Sequence, residues 1–387
     1  MQAVILAGGF GTRLASVVHD VPKPMAPIGG VPFLDYIINQ LENNGFDDFI
    51  LLTGYKSEII ETHYRKSGNI KCVKENIPLG TGGAIINALE FLSDEFYVIN
   101  GDTFFDIDFK LLSEFSSGKE ACIALRFATD IARYGYVDFD EDFRISRFIE
   151  KSRLEKDKVD GYINGGIYYF KKTLFQNLIS GSFDKPFSVE NDFFPELIKD
   201  KKLFGLPVGG LFIDIGIPED YIRAQEVIPE WIQKPRMPAL FVDKDGTLIE
   251  DTGYPHGSVI KPLDSIIPFL TMYKKAGYYI VMVTNQAGIA KNKFSYNEAL
   301  ENIDATILFY AKFGIDFDHV EFCPYHVEGV IPKYTFFSRL RKPEAGMLLR
   351  ACENLRIDLG NSLMVGDNPD TDRIKLPYLK FMHIGEI

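Results

Sequence analysis

The sequence contains few of the residues that build disulfide-linked or metal-held scaffolds. Its 387 residues include only six histidines and four cysteines, and only one tryptophan. The cysteines, at positions 72, 122, 323 and 352, do not show the spacing of a disulfide framework. We therefore expect free thiols and a cytoplasmic protein. No apolar run approaches a membrane span, and the first residues are predicted to form a core strand rather than a signal peptide. The net charge of −12 argues against a nucleic-acid surface, although a nucleotide needs only local cations.

Short apolar runs alternate with helical patterns, which is typical of an α/β fold with a mostly parallel sheet. A chain of this length is expected to hold two domains, here 1–226 and 238–387, joined by a proline-containing linker at 227–237. The patterns of the first domain predict helices that begin near Pro32, Ser57 and Gly82, and the strands Ala3–Ala7, Asp48–Thr53, Ile70–Lys74 and Glu95–Asn100. Ligands of such sheets bind beyond the carboxyl ends of the strands.

The first predicted strand leads into a glycine-rich loop, Gly8–Leu14 (GGFGTRL), which is closed by Pro22–Pro24 (PKP). The glycines let backbone N–H groups approach a ligand, and Arg13 and Lys23 add positive charge, which suits a chain of phosphates. A tight turn after an edge strand is the alternative interpretation. The spacing matches neither the dinucleotide fingerprint nor the P-loop.

Taken together, these two segments closely resemble the signature of sugar-1-phosphate nucleotidyltransferases. The resemblance covers essentially the whole first domain and implies a Rossmann-like fold with a mixed sheet. It implies catalytic roles for Arg13 and Lys23. It is also compatible with a homo-oligomer formed through this domain. The nucleotide-binding residues that it implies around the loop are Leu6, Ala7, Gly8, Gly9, Gly11, Thr12 and Arg13.

A second glycine-rich segment, Glu75–Ala84 (ENIPLGTGGA), follows the third predicted strand. A simple strand-to-helix turn explains it equally well. In the family that the chain resembles, this form lines the nucleobase pocket and is commoner in guanylyl-type members, which favours GTP. The nucleotide-binding residues implied here are Glu75, Gly80, Thr81, Gly82, Gly83 and, at the end of the next strand, Asp102.

Two carboxylates are predicted to hold a divalent cation in the first domain. Asp102 ends the strand pattern Val98–Asp102, and Asp214 follows apolar residues much later in the chain. The resemblance assigns both residues to Mg²⁺, a hard ion that prefers oxygen ligands, between the triphosphate and the sugar phosphate. A turn cap is the alternative role for Asp102. The family more often has Trp and Thr where this chain has Phe212 and Ile217.

The resemblance also implies contacts to the sugar phosphate. In a Glu-Lys pair formed by Glu150 and Lys151, the lysine would hold the phosphate. Asn164 and Glu190 would bind hydroxyl groups, and Gly165 would allow close approach. The alternatives are an exposed ion pair for the first two residues, a strand bulge at 164–165 and a helix cap at Glu190.

The chemistry implied by these residues is nucleotidyl transfer. A sugar 1-phosphate oxygen attacks the α-phosphorus of a nucleoside triphosphate, and pyrophosphate leaves. Because the attacking group is already an anion, the site must supply charge neutralisation and in-line positioning rather than a general base.

The second domain opens with another apolar strand that ends in acids, Ala239–Leu248 (ALFVDKDGTL). Asp243 and Asp245 are two residues apart and share a face, where close carboxylates repel unless a cation or a proton separates them. An acidic turn is the alternative. Three further motifs follow, at 279–286, 341–343 and 362–372, and the set closely resembles the haloacid-dehalogenase-type phosphatases.

This second resemblance implies a Rossmannoid domain, and no insertion long enough for a large cap is visible. It makes Asp243 the nucleophile that forms a phosphoaspartate and Asp245 the general acid/base. It gives Thr284 and Lys342 contacts to the transferring phosphoryl group. The Mg²⁺ ligands that it implies are Asp243, Asp245 and Asp367, supported by Asp372.

Four segments of the second domain closely resemble the corresponding segments of D-glycero-D-manno-heptose 1,7-bisphosphate phosphatases: 251–256, 284–290, 323–326 and 341–347. Histidinol-phosphate phosphatases are close relatives of that group. The resemblance implies substrate contacts by Asn285 and by Arg341, the latter to the distal phosphate. That group often holds zinc with a Cys-x-His pair and a later Cys-x-Cys pair. Here Tyr325 replaces the first histidine and 336–340 contains no cysteine, so we expect no structural zinc. The aromatic segment 334–337 is expected to pack the loop instead.

Together the two resemblances predict a bifunctional enzyme that removes the 7-phosphate of a heptose 1,7-bisphosphate and transfers GMP from GTP to the heptose 1-phosphate. The expected ligands are GTP, a sugar phosphate and Mg²⁺ at both sites, with neither nucleic acid nor membrane. One alternative is a mannose-1-phosphate guanylyltransferase, or another nucleotidyltransferase, fused to a phosphatase of different specificity. Another is a nucleotide-sugar sensor with degenerate sites. The acids and cations retained argue against the sensor: Arg13, Lys23, Asp102, Asp214, Asp243 and Asp245.

Overall fold

The computed structural model describes residues 1–9, 14, 17–131, 135–149, 160–178 and 186–387. It confirms the predicted α/β class, with a mixed sheet in the first half of the chain and a parallel sheet in the second. Within these ranges, no helix combines the length and the hydrophobicity that a membrane crossing requires.

The first half alternates strands and helices. Its strands are β1 Gln2–Ala7, β2 Pro27–Ile28, β3 Val31–Pro32, β4 Asp48–Thr53, β5 Ile70–Lys74, β6 Glu95–Asn100, β7 Thr103–Phe105, β8 Ala121–Ala128, β9 Tyr136–Phe139, β10 Ile145–Ile149, β11 Gly161–Lys171, β12 Leu203–Pro207 and β13 Phe212–Asp214. Its helices are α1 Phe33–Asn43, α2 Ser57–Tyr64, α3 Gly80–Asn87, α4 Phe109–Ser116, α5 Thr173–Gln176, α6 Phe194–Lys199 and α7 Pro218–Gln233.

The mixed sheet brings the loops of the first half to one edge. Its strand order is β10-β9-β11-β6-β1-β4-β5, with β8 on β11 and β12 on β8. Strand β1 pairs in parallel with β4 and with β6, so the three carboxyl ends open on the same side. Strand β11 pairs antiparallel with β6 and β8, which makes the sheet mixed.

The predicted elements of this half agree closely with the observed ones. Strands β4, β5 and β6 have the predicted bounds, and β1 begins one residue earlier. The helices begin at Phe33, Ser57 and Gly80. The agreement follows from the hydrophobic periodicity: α1, for example, buries Leu34, Ile37 and Leu41 along one face.

The second half is a parallel sheet with helices on its faces. Its strands are β14 Met237–Val242, β15 Tyr279–Asn285, β16 His319–Cys323, β17 Ile357–Gly366 and β18 Lys380–His383, in the order β16-β15-β14-β17-β18. Its helices are α8 Ile267–Lys275, α9 Ala287–Ala290, α10 Tyr296–Ala311, α11 Gly346–Ala351 and α12 Pro369–Asp372. Ser295 and Glu298 form a capping box that begins α10.

The predicted linker at 227–237 requires correction, because most of it is helical. Helix α7 continues to Gln233 with Pro229 inside it, and β14 already begins at Met237. An internal proline costs a helix about 3 kcal/mol. Burial of Ile228 and Trp231 on the same turn of α7 offsets that cost, since each large apolar side chain contributes roughly 2 kcal/mol. We retain 1–226 and 238–387 as proposed domain bounds.

The two halves pack against each other through one continuous hydrophobic core, in which α11 contacts β8. A buried carboxylate lies at the same junction. Asp106 accepts hydrogen bonds from Trp231 Nε1 at 2.7 Å, Arg236 Nη2 at 2.7 Å and Arg356 Nε at 2.8 Å. One acid therefore ties the end of α7 and the start of the second half to the loop after β7.

Replacing Asp106 with Ala is expected to destabilise the protein by about 3 kcal/mol, because it leaves two partly buried guanidinium groups without their anion. Urea unfolding followed by circular dichroism at 222 nm measures the change. Asp142→Ala, which removes an exposed ion pair with Arg144, is the control and should change the unfolding free energy by less than about 0.5 kcal/mol. Equal effects of the two substitutions would contradict the role given to Asp106.

Candidate active sites

A cleft of about 410 Å³ lies at the carboxyl edge of the mixed sheet. It is lined by Leu6, Gly8, Gly9, Lys23, Pro24, Leu52, Glu75, Pro78, Gly80, Thr81, Ala84, Asn100, Asp102, Glu190 and Gly216. Strands β1 and β6 and the start of α3 thus bring together residues from segments that are far apart in the chain. Ala7, predicted to bind nucleotide, is fully buried within β1.

Lys23 and two carboxylates form the charged centre of this cleft. The Nζ atom of Lys23 lies 2.6 Å from Asp102 Oδ2 and 3.3 Å from Asp214 Oδ1. The carboxylates meet because β13 pairs with β7, which places Asp214 opposite Thr103. Burial and the neighbouring charge of Asp102 raise the pKa of Asp214, and the Lys23 ammonium group opposes the rise.

The glycine segment before α3 is shaped by a contact with Phe187. Gly82 and Gly83 donate backbone hydrogen bonds to the Phe187 carbonyl, at 2.9 and 3.2 Å. A Cβ atom on Gly82 would overlap the Phe187 ring, and Gly80 has φ of +75° with the Phe187 carbonyl close by. The structure therefore accounts for these glycines by packing, while Gly80 and Thr81 also line the cleft.

Glu75 supports the walls of the cleft. Its Oε2 atom accepts the Leu79 backbone N–H at 3.1 Å. A Cβ atom on Gly8 or Gly54 would lie within 2.8 Å of its Oε1 atom, so both glycines leave room for this carboxylate. Glu75 thus lies between Gly8 and the turn before α3.

The predicted sugar-side residues belong to one hydrogen-bond network. Glu190 accepts from Thr81 Oγ1 at 2.9 Å, from Ser188 Oγ at 3.1 Å and from the Tyr168 hydroxyl at 3.2 Å. The Nδ2 atom of Asn164 donates to that hydroxyl at 2.8 Å. Asn164 and Glu190 are therefore brought together through Tyr168, a fully buried residue that sequence reasoning did not assign to the site.

Gly165 has a structural explanation that the sequence analysis gave as the alternative. The pairing of β11 with β8 shifts register between Asn164 and Tyr168, as at a bulge. A Cβ atom on Gly165 would lie 2.6 Å from the Ala124 carbonyl oxygen and 2.8 Å from the Phe105 ring. Packing against the sheet therefore explains the glycine without a ligand. Five predicted residues lie outside the described residues: Gly11, Thr12, Arg13, Glu150 and Lys151.

A second charged cluster lies at the carboxyl edge of the parallel sheet. The Nζ atom of Lys342 donates to Asp243 Oδ1 at 2.5 Å and to Asp372 Oδ1 at 2.6 Å, and all three side chains are nearly inaccessible to solvent. Carboxylate oxygens of Asp243, Asp367 and Asp372 lie within 4.8 Å of one another, as a bound divalent cation requires. Gly246, with φ of +89°, gives the Asp367 carboxylate the space that a Cβ would fill.

The structure groups Asp372, rather than the predicted Asp245, with the other two carboxylates. The Asp245 carboxylate accepts hydrogen bonds from Gln286 Nε2 at 2.9 Å, from Thr284 Oγ1 at 3.3 Å and from the neighbouring Lys244 ammonium group. The physical reason is local, because these three donors satisfy Asp245 on its own side of the strand end. Asp372 instead comes from α12, and its Oδ2 atom also accepts the Asn368 backbone N–H at 3.1 Å.

Burial raises the pKa of Asp243 to about 7, and the charges of Asp372 and Asp245 act in the same direction. The Lys342 ammonium group is the main opposing influence. The Lys342 ammonium group donates to the carboxylates of Asp243 and Asp372. It therefore favours the ionised form of Asp243, which a nucleophilic carboxylate needs.

Lys244, Gln286 and Asn302 take part in the second site but were not predicted. Lys244 is fully buried, and its Nζ atom donates to Asn302 Oδ1 at 2.7 Å as well as to Asp245. The available signal was its position between two acids at a strand end, where alternation turns it to the opposite face from Asp243. Its partner on α10 is more than fifty residues away, so the pairing itself gave no local pattern.

Asn285 and Arg341 flank Lys342. Asn285 exchanges two hydrogen bonds with the Lys342 backbone, donating to its carbonyl at 3.1 Å and accepting its N–H at 3.0 Å. Burial lowers the pKa of Arg341, and its buried Nη1 atom has no hydrogen-bond partner among the described residues. A cation in this state is suited to receive an anion.

The loop after β16 is packed by aromatic rings, as predicted. The Tyr325 ring lies 4.4 Å from that of Phe336 and 6.1 Å from that of Tyr334, measured between centroids. Cys323 is buried, which raises the pKa of its thiol to about 11.

Two family models match separate parts of the chain. The family model described as nucleotidyl transferase matches residues 2–230, and the one described as HAD-hydrolase-like matches residues 339–374. The chain is 44% identical over 224 residues to the D-glycero-alpha-D-manno-heptose 1-phosphate guanylyltransferase of Campylobacter jejuni, an alignment that covers 57% of this chain and 97% of the relative.

Two further relatives cover the same half. A protein of the same description from Aneurinibacillus thermoaerophilus is 42% identical over 238 residues, which is 60% of this chain and all of the relative. The crystal structure of HddC from Yersinia pseudotuberculosis superposes with a TM-score of 0.51 at 38% identity and covers 58% of this chain and 98% of that one.

Proposed function

The chain belongs to the nucleotidyl transferase family and carries a HAD-like phosphatase domain, and we propose that it converts a heptose 1,7-bisphosphate into a GDP-heptose in two steps. The second domain removes the 7-phosphate of D-glycero-D-manno-heptose 1,7-bisphosphate. The first domain then transfers GMP from GTP to the heptose 1-phosphate and releases pyrophosphate. The product would serve as a precursor of surface polysaccharide.

One observation carries this proposal: both charge clusters lie on one chain whose first half is 44% identical to a heptose 1-phosphate guanylyltransferase. A phosphatase that yields a heptose 1-phosphate makes the acceptor that such a guanylyltransferase uses. The fusion thus supplies the catalytic domains for two consecutive reactions in equal amounts.

The cleft of the first domain supports nucleotidyl transfer by its charges. Lys23 is nine-tenths buried between Asp102 and Asp214, whose side chains are about 41% and 33% exposed to the cleft. Mg²⁺ held by the two carboxylates would neutralise the triphosphate. Lys23 adds a fixed positive charge where negative charge accumulates during transfer.

The cluster of the second domain supports phosphoryl transfer. In the proposed reaction, an Asp243 oxygen attacks the phosphorus of the 7-phosphate and the bond from phosphorus to the sugar oxygen breaks, with Asp245 donating the proton that lets the sugar leave as its hydroxyl. Water then attacks the phosphoaspartate, Asp245 accepts its proton, and inorganic phosphate leaves. Lys342 would neutralise charge on the transferring group. Mg²⁺ suits the three acids Asp243, Asp367 and Asp372, and would draw the phosphate oxygens to the nucleophile.

Base and sugar specificity are tested by measuring pyrophosphate release with each acceptor and each nucleotide. D-glycero-α-D-manno-heptose 1-phosphate and mannose 1-phosphate are each combined with GTP, CTP, UTP, ATP or dTTP. The proposal expects GTP with the heptose phosphate to exceed every other pair by about tenfold or more in kcat/KM. A preference for mannose 1-phosphate or for a pyrimidine nucleotide would contradict it.

Arg341→Met is expected to raise KM for the heptose bisphosphate by about tenfold, because one charge-assisted contact to the 1-phosphate is lost. The substrate p-nitrophenyl phosphate, which lacks a distal phosphate, should keep its KM. Lys333→Met removes a cation of the same half to which our proposal gives no substrate contact, and should leave both constants unchanged. An equal rise of KM for both substrates in Arg341→Met would show that the arginine does not bind the distal phosphate.

A further inference from the structure

A buried acid of the first half of the chain contacts the second half beside the phosphatase site. Asp160, just before β11, accepts a hydrogen bond from the Ser338 hydroxyl, and its Oδ1 atom accepts the Arg339 backbone N–H at 2.8 Å. Asp160 and Ser338 are both buried. The contact therefore lies inside the junction of the two halves and not on its rim.

The segment that receives this contact, Ser338–Lys342, leads directly into the site. The Ser338 hydroxyl oxygen also accepts the Leu340 backbone N–H at 3.1 Å, and the Ser338 carbonyl accepts the Arg341 N–H at 3.2 Å. At the other end, Asn285 holds the Lys342 backbone. The segment is thus fixed at both ends, and one of the two anchors belongs to the first half of the chain.

The Arg339 side chain strengthens the same junction. Its guanidinium group donates to Glu344 Oε2 at 2.5 Å and to Asp138 of β9 at 3.4 Å. It also lies 5.3 Å from the centre of the Tyr162 ring in β11. Strands β9 and β11 of the mixed sheet therefore contact Arg339, which precedes Leu340, Arg341 and Lys342 in the chain.

We propose that Asp160 is a positioning residue for the phosphatase, so that the nucleotidyltransferase half completes the neighbouring active site. This inference rests on the phosphatase activity proposed above. Lys342 must hold its ammonium group against Asp243, and the peptide that carries it lies within four residues of the Asp160 contact. A shift of about 1 Å in a catalytic group is enough to lower a rate by roughly a hundredfold.

The Asp160 contact has a direct consequence for the fusion of the two halves in one chain. The phosphatase half is expected to reach its full kcat only while it is packed against the first half. The fusion would then position a catalytic residue, in addition to supplying the two activities in equal amounts. A purely structural role would differ, because loosening the junction anywhere would then harm both activities alike.

The test compares Asp160→Ala with Glu353→Ala in the full-length chain. Glu353 accepts hydrogen bonds from Arg126 at 2.9 and 3.0 Å across the same junction but lies outside Ser338–Lys342, so it controls for a loosened interface. Phosphate release from p-nitrophenyl phosphate with Mg²⁺ gives kcat and KM, and GTP-dependent pyrophosphate release reports the other site. Asp160→Asn, which keeps an oxygen for the Arg339 N–H, is the conservative variant.

We expect Asp160→Ala to lower kcat for p-nitrophenyl phosphate by about tenfold, with KM and pyrophosphate release within roughly twofold of the parent. Asp160→Asn should recover part of this loss, and Glu353→Ala should leave kcat unchanged. The proposal is overturned if Asp160→Ala keeps full kcat, if Glu353→Ala lowers kcat equally, or if both activities fall together.

Hydrogen exchange separates this inference from the proposed function, because it requires no activity. Peptides covering 338–346 should exchange faster in Asp160→Ala than in the parent or in Glu353→Ala. Unchanged exchange would overturn the inference even if the phosphatase is active. A parent protein without phosphatase activity would instead refute the proposed function, while faster exchange would still support the positioning contact.

Discussion

The Asp243→Asn variant is expected to lose phosphate release by at least about 10³-fold, because an amide cannot form the phosphoaspartate intermediate. Pyrophosphate release from GTP and heptose 1-phosphate should stay within roughly twofold of the parent, since the first cleft shares no residue with this cluster. Asparagine has nearly the volume of aspartate, so the loss is chemical rather than a cavity effect. Phosphate and pyrophosphate assays on the same preparation measure both activities.

Asp304→Asn is the matched control, since Asp304 is an exposed acid on α10 of the same half. It should retain both activities. If Asp243→Asn released phosphate at a rate similar to that of Asp304→Asn, a carboxylate nucleophile at this position would be ruled out.

The Asp102→Asn variant is expected to lose the activity that Asp243→Asn retains. It should lower pyrophosphate release by about 10²- to 10³-fold. The substitution removes one of the two carboxylates that meet at Lys23, and with it a proposed ligand of the metal. Phosphate release by the second half should be unchanged, because the two clusters are separate.

The control for this variant is Asp130→Asn, which changes an exposed acid in the same half. Retention of pyrophosphate release in Asp102→Asn at varied Mg²⁺ concentration would contradict the role of Asp102 in metal binding. Loss of both activities would indicate a folding defect, which thermal unfolding of the variant would reveal.

Local sequence patterns were sufficient for the elements predicted in the first half of the chain, apart from the end of α7. The strands β4, β5 and β6 follow from short apolar runs bounded by turn residues, and β1 differs from its predicted bounds by one residue. The exception was α7, where Pro229 and Pro235 suggested a linker. Burial of Ile228 and Trp231 extends the helix through Pro229, and such tertiary packing is not visible in a local pattern.

The family resemblance grouped Asp102 with Asp214, whereas no local pattern in the sequence brings them together. Asp102 and Asp214 are more than a hundred residues apart and meet through the short pairing of β7 with β13. Asp372 lies with Asp243 and Asp367, while the Asp245 carboxylate accepts hydrogen bonds from Gln286, Thr284 and Lys244. Such pairings depend on how distant elements approach each other.

Two of the predicted ligand-contact glycines also have a packing explanation. Gly82 and Gly165 suggested ligand contact, whereas the structure places the Phe187 ring against the first and the Ala124 carbonyl and Phe105 ring against the second. A missing side chain marks a close approach but does not say whether a ligand or another part of the chain fills the space.

The most direct test of the central proposal follows both products from one substrate. The intact chain is incubated with Mg²⁺ and with GTP, CTP, UTP, ATP or dTTP in turn. The sugar substrate is either anomer of D-glycero-D-manno-heptose 1,7-bisphosphate or, in a parallel reaction, mannose 1-phosphate. We predict phosphate release with every nucleotide, followed by pyrophosphate release with GTP alone. GTP-dependent pyrophosphate release from mannose 1-phosphate, with the heptose bisphosphate left intact, would contradict the proposal.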